Sequence, residues 1–129
     1  MAKATYKRGE IRTIKFTAGG STDYAVDEVI LFRTAAAASR VGVARQAIPR
    51  GTSGIVAVSG VFEFEKETAA NTLSAGHSVN INSDGKVEQP GATEVDGITR
   101  CGITMANSAN GDTHVDIDIS AAGIGGTDG

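Results

Sequence analysis

The 129-residue chain has one Cys, no Trp, only two Tyr and four Phe, 40% hydrophobic and 21% charged residues, and a net charge of −3. Such a chain supports one modest globular domain with a light core, and argues against a disulfide framework, disorder throughout, a helical membrane span or a large internal ligand chamber. Its slight acidity disfavours a general nucleic-acid binder, and no charged segment leads into an apolar run as in a secretory leader.

Charge is uneven along the chain. Residues 1–50 hold nine Lys/Arg against four acids, a balance of +5, and residues 51–129 hold three against eleven, a balance of −8. Interleaving of strands from both halves is the simpler expectation and averages this out. The alternative is a molecule with two surfaces of opposite potential, suited to orienting copies on a charged scaffold.

Eleven Val and eleven Ile against two Leu, with 13 Thr and 17 Gly, favour pleated strands over helices. In chain order, residues 1–8 read as an N-terminal arm, carrying Lys3, Tyr6, Lys7 and Arg8. Strands are expected over 10–16, 28–33, 40–48, 54–59 and 61–65, separated by breaks containing Gly, Ser and Thr. The Ala-rich stretch 34–39 and the polar stretch 65–73 are the plausible short helices. A hairpin follows over 78–82 and 86–88, with Asp84-Gly85 supplying the turn chemistry. A second joins 98–105 to 112–119, where Asn110-Gly111 suits positive φ and Val115, Ile117 and Ile119 alternate with His114, Asp116 and Asp118. Residues 9–120 form the domain, and 121–129, with four glycines in nine residues, form a mobile tail. Eight or nine short strands without crossover helices predict an all-β antiparallel sandwich or small barrel, jelly-roll-like, with no sizeable helix.

The templates for chemistry come out empty. A phosphate-binding loop is absent, because Asp84-Gly85-Lys86 lacks both the earlier Gly and the following Ser or Thr. Gly123-Ile124-Gly125-Gly126 is followed by no helix to receive a pyrophosphate. Cys101 lies mid-strand without a cue for a lowered pKa and reads as a packing residue. His114, Asp116 and Asp118, with His77 elsewhere, are the sharpest metal candidate. Side chains at alternate strand positions are about 7 Å apart and parallel, so they converge poorly on one ion and read as a solvated face. Glu63, Glu65 and Glu67 alternate with Phe62 and Phe64 as one wet and one dry face. No catalytic residue, metal ligand or cofactor site is assigned.

The order of signals across residues 8–119 resembles the small cement, or decoration, proteins of tailed-phage capsids. It rests on Gly9-Glu10-Ile11, Thr17-Ala18-Gly19-Gly20, Val29-Ile30-Leu31-Phe32, Val41-Gly42-Val43-Ala44 and Gly60-Val61-Phe62-Glu63-Phe64-Glu65-Lys66. Ala75-Gly76-His77-Ser78-Val79, Asp84-Gly85-Lys86-Val87, Gly97-Ile98, Gly102-Ile103 and Val115-Asp116-Ile117-Asp118-Ile119 complete it. Members are sometimes labelled RecA-type recombinases, an activity the missing phosphate loop argues against here. Residues 34–39 and the basic arm depart from the shorter members.

The resemblance implies a non-enzymatic, sandwich-like virion protein on the outer capsid surface, present in the host cytoplasm before assembly. It would bind the major capsid protein across subunit junctions as a dimer or trimer, without nucleic acid, membrane or cofactor. Charge and arm composition assign capsid binding to Lys3, Tyr6, Lys7 and Arg8, with the acidic later strands facing outward or toward a sister copy. The competing expectations are a recombination-related nucleic-acid-binding accessory, which would show steep salt dependence, and a carbohydrate-binding or adhesin sandwich, which needs a groove of exposed aromatics.

Overall fold

The computed structural model describes residues 2–32, 40–67, 72–82, 84–88, 98–109 and 111–121, without the side chains of residues 40, 98–101 and 121. The strands are β1 (Ala4–Arg8), β2 (Thr13–Thr17), β3 (Val29–Phe32), β4 (Arg40–Ala44) and β5 (Ser53–Ala57), then β6 (Val61–Glu65), β7 (Ser78–Ile81), β8 (Val87–Glu88), β9 (Ile98–Thr104) and β10 (His114–Asp118). Among the described residues the only helical element is the 3-10 turn Ile119–Ala121.

The strands form a six-stranded sheet, β1-β6-β10-β9-β7-β8, and a four-stranded sheet, β2-β5-β4-β3. Every strand pairing is antiparallel. The sheets are not closed into a barrel, so of the two expected architectures the sandwich is the one formed. Its layers meet through β-branched and aromatic side chains. Val29, Val41, Val43 and Ala57 of the smaller sheet pack against Phe62, Phe64, Val79, Ile81, Val115 and Ile117 of the larger. The chain passes between layers at residues 58–60, where Gly60 adopts a φ of +111° that a side chain would strain.

Close approach of the strands explains the low side-chain mass. A Cβ on Gly42 would lie 2.6 Å from Val56 Cγ1 and 2.7 Å from Phe32 Cε2, and one on Gly102 would collide with Ile117 Cγ2. Both glycines sit in mid-strand because ladder neighbours occupy the space above them.

The two hairpins expected from turn chemistry are present. Ile81 faces Val87 across the first, with Gly85 at φ +83°, and Ile117 faces Thr104 across the second. The second is joined by a longer connection, in which Leu73 bridges Ser108, rather than by a tight turn. Gly111 has a φ of +105°, while Asn110 lies outside the described residues. Of the two stretches read as short helices, 34–39 lies outside the described residues. The other begins with Glu65 at the end of β6 and Lys66 in a parallel bridge to Val87.

Residues 4–8 of the segment read as an arm form β1 at the edge of the larger sheet. Ala4 is fully buried and faces Phe64. Backbone bonds tie this segment to the other layer: Ala4 N donates to Asp27 O and Val29 N to Ala2 O. Asp27 accepts this connection in a left-handed conformation, φ +69°, which Asp tolerates better than most residues.

A second apolar cluster lies on the far side of the smaller sheet. Ile30, Ala44 and Val56 are covered there by Ala18 and Ile48 from the connections, with Phe16, Tyr24 and Phe32 packed alongside. Phe16 meets Tyr24 and Phe32 edge to face at 5.6 and 5.4 Å. Tyr24 and Ile48 bridge the two covering connections, and Arg50 clamps Asp23 through Nε at 3.2 Å and Nη2 at 3.1 Å. The side-chain hydrogen bond from Arg50, followed by its backbone hydrogen bond, holds the Asp23 carboxyl below its ordinary value.

Two outcomes are expected. Ile48→Ala should lower stability by about 2–5 kcal/mol in urea unfolding, although the residue lies outside the interlayer core. In an NMR pH titration, Asp23 should retain its charge below the usual carboxylate range. Since the folded value is depressed, the clamp is present above the unfolded value and is lost as pH falls through the folded one. Arg50→Gln should return Asp23 toward ordinary behaviour.

Candidate functional site

The basic residues of β1 reach solvent because β1 is an edge strand whose inward positions are taken by Ala4 and Tyr6. Its register on β6 sets Ala4 opposite Phe64 and Tyr6 opposite Phe62, then shifts between Tyr6 and Arg8. Such an irregularity turns a side chain to the other face, and Arg8 reaches Asp116 on the outer face at 3.6 Å. Lys3 and Lys7 are exposed and form no ion pair with another described residue. Tyr6 is fixed at both ends. Its hydroxyl donates to Gly9 O at 2.7 Å, and its ring meets Phe62 at 5.7 Å.

The opposite layer adds residues that lie far away in sequence. Arg45 extends from the end of β4 so that its guanidinium carbon stands 5.6 Å from the Tyr6 ring centroid and 5.8 Å from that of Phe62. Nη1 of the same residue reaches Asp27 at 3.8 Å. Arg45 N donates to Ile55 O, and Ile55 is paired with Lys15 of β2. Tyr6, Arg45, Ile55 and Lys15 therefore form a strip running from one layer to the other. Tyr6 is 38% and Ile55 44% exposed, so the strip offers both apolar surface and cations.

Charge follows the layers rather than averaging out. The described strands of the smaller sheet contain Lys15 and Arg40 and no acidic residue, whereas those of the larger contain Glu63, Glu65, Glu88, Asp116 and Asp118 against Lys7, Arg8 and Arg100. On the outer face His114 stands opposite Glu65 and Asp116 opposite Glu63. The third member of the candidate metal row, Asp118, accepts from Ser120 N at 2.8 Å, while His114 Nδ1 and Thr113 Oγ1 share a hydrogen bond of 2.9 Å. With Asp116 turned to Arg8, the row is a face rather than a converging ligand set. Phe62 and Phe64 point into the core and Glu63 and Glu65 away from it, as their alternation predicts. Glu67 instead accepts from Asn82 Nδ2 at 2.7 Å. Cys101 falls in β9, but its side chain lies outside the description.

A groove of about 700 Å³ runs beside the start of β2, lined by Gly9, Arg12, Ile14, Ser59, Asp118 and Ser120 among others. Its floor is fixed by hydrogen bonds. Arg12 N donates to Ser59 Oγ at 2.6 Å, Ser59 Oγ to Glu10 O at 2.8 Å, and Gly60 N to Ser120 Oγ at 2.9 Å.

Of the residues assigned to docking from sequence, Tyr6 and Arg8 are engaged within the fold, and Lys3 and Lys7 are exposed without an ion pair to another described residue. Arg45, Ile55 and Lys15 escaped sequence reasoning. Their only signal was the basic excess of residues 1–50, to which Lys15 and Arg45 contribute.

A family model described as phage cement protein matches residues 7–119. No curated protein matches the chain.

Arg45→Ala should cost about 0.5–2 kcal/mol in urea unfolding, the range for a cation over aromatic rings. It should also alter the environment of Tyr6 in near-ultraviolet circular dichroism. Arg45→Lys should restore part of both.

Proposed function

The chain belongs to the phage cement protein family and so has a structural, capsid-stabilising role, and from this we propose that it binds the outer surface of an assembled phage head and holds neighbouring major capsid protein subunits together. The single observation that carries the reading is the family match over most of the chain. The surface supports it. A small rigid sandwich presents Lys3 and Lys7 beside Tyr6 and Arg8 on one edge, and acidic residues on the face next to it.

On this reading Lys3 and, from β1, Tyr6, Lys7 and Arg8 meet the capsid, and the acidic face of β6 and β10 turns outward or toward a sister copy. Each contact can be weak. A dimer or trimer engaging several capsid subunits multiplies modest affinities through effective concentration, and selective binding to one state of the shell stabilises that state by mass action. Catalysis is not needed, and none of the residues named takes a chemical step.

Since Ala4 is a core residue, removal of residues 2–8 would disturb folding and docking together, and exposed substitutions separate the two. The double variant Lys3→Glu/Lys7→Glu should unfold like the parent protein in urea. Titrated onto purified heads lacking this protein, it should need roughly tenfold more protein for half occupancy, the equivalent of about 1.4 kcal/mol. Unchanged occupancy would remove β1 from the capsid contact, and failure of the parent protein to decorate heads would overturn the reading itself.

A further inference from the structure

β2 ends the smaller sheet, and the direction of its backbone groups is fixed by its neighbours. Val58 N donates to Arg12 O, and Ala18 N donates to Thr52 O. In an antiparallel ladder these bonds recur at every second residue, so Arg12, Ile14, Phe16 and Ala18 face β5. Ile55, opposite Lys15, agrees with this: its N–H goes to Gln46 Oε1 at 2.8 Å and its carbonyl accepts from Arg45, both on the side away from β2. The amides and carbonyls of Thr13, Lys15 and Thr17 therefore point outward from the sheet, and all three residues are exposed.

We infer that this edge accepts, as an added strand, an extended segment of a capsid subunit that carries an acid opposite Lys15. The inference rests on the capsid-binding reading and deepens it. Backbone pairing would use the outward groups of Thr13, Lys15 and Thr17. Side chains on one face of the guest strand would meet apolar surface at Ile14, 42% exposed, and those on the other would meet Lys15, with Ile55 behind it on β5. An acid on the guest is favoured opposite Lys15, which stands at the centre of the edge in a sheet whose described strands carry no acid, whereas the groove beyond the edge holds Glu10 and Asp118 as well as Arg12 and sets no preference. A second copy is the poorer occupant. Antiparallel pairing of two β2 strands about their centre would place Lys15 opposite Lys15, and a lysine on an edge is a recognised guard against such self-pairing.

The experiment measures backbone hydrogen exchange of the full chain, free and bound to purified heads lacking this protein. Binding should slow the amides of Thr13, Lys15 and Thr17 by at least about tenfold, as new ladder bonds require. Lys15→Pro removes an outward amide where an edge strand tolerates the loss. It and Lys15→Glu should both weaken decoration about tenfold with little change in the urea midpoint, and Lys15→Arg should decorate normally. Unchanged exchange at these amides on bound protein overturns the inference while leaving capsid binding intact. Concentration-dependent slowing without heads also overturns it, by making a second copy the occupant. Absence of any binding to heads removes inference and reading together.

Discussion

The pairing of Ala4–Arg8 with Val61–Glu65 is the interaction on which the rest of the molecule depends. It extends the larger sheet, buries Ala4 against the interlayer core and, through the bonds of Ala2 and Ala4 to Val29 and Asp27, ties that sheet to its partner. The same pairing aims Lys7 and Arg8 at solvent and draws Tyr6 under Arg45. Fold and candidate contact surface are therefore one construction, since the strand that closes the core is also the strand that carries the charge.

That arrangement accounts for the lopsided charge of the chain. Strands of the smaller sheet come from residues 13–57, and those of the larger, apart from β1, from residues 61–118. Sequence halves thus largely become layers; within the larger sheet β1, with Lys7 and Arg8, lies against acidic β6, and β9, with Arg100, lies against acidic β10. Interleaving, the simpler expectation from the sequence, occurs at β5, which comes from the second half and lies between β2 and β4, and at β1. Arg8 crosses to Asp116 there, an exposed pair of small energetic weight that nevertheless fixes where the basic edge meets the acidic face.

Much of the fold was legible because its signals are local. Alternation of Val115, Ile117 and Ile119 with polar residues marks β10, and Asp84-Gly85 marks the β7–β8 turn. What escaped depends on distance. β1 offers only Ala4 and Tyr6 as inward residues, too small a pattern to read as a strand. The second apolar cluster uses Ala18 and Ile48, which sit in connections where no periodicity applies. Of the site, the cations of β1 were visible as composition, whereas the strip through Arg45, Ile55 and Lys15 exists only once two layers are stacked.

Building the proposed contact surface on a paired strand has a kinetic consequence. A disordered arm must surrender its conformational freedom at the moment of encounter, and that loss is subtracted from whatever affinity the contact yields. Here the backbone under Tyr6, Lys7 and Arg8 is already held by its ladder, so the ordering entropy is discharged during folding, before any partner arrives. Capture by a surface that recognises this edge is then limited by diffusion and orientation, not by a coil-to-strand transition.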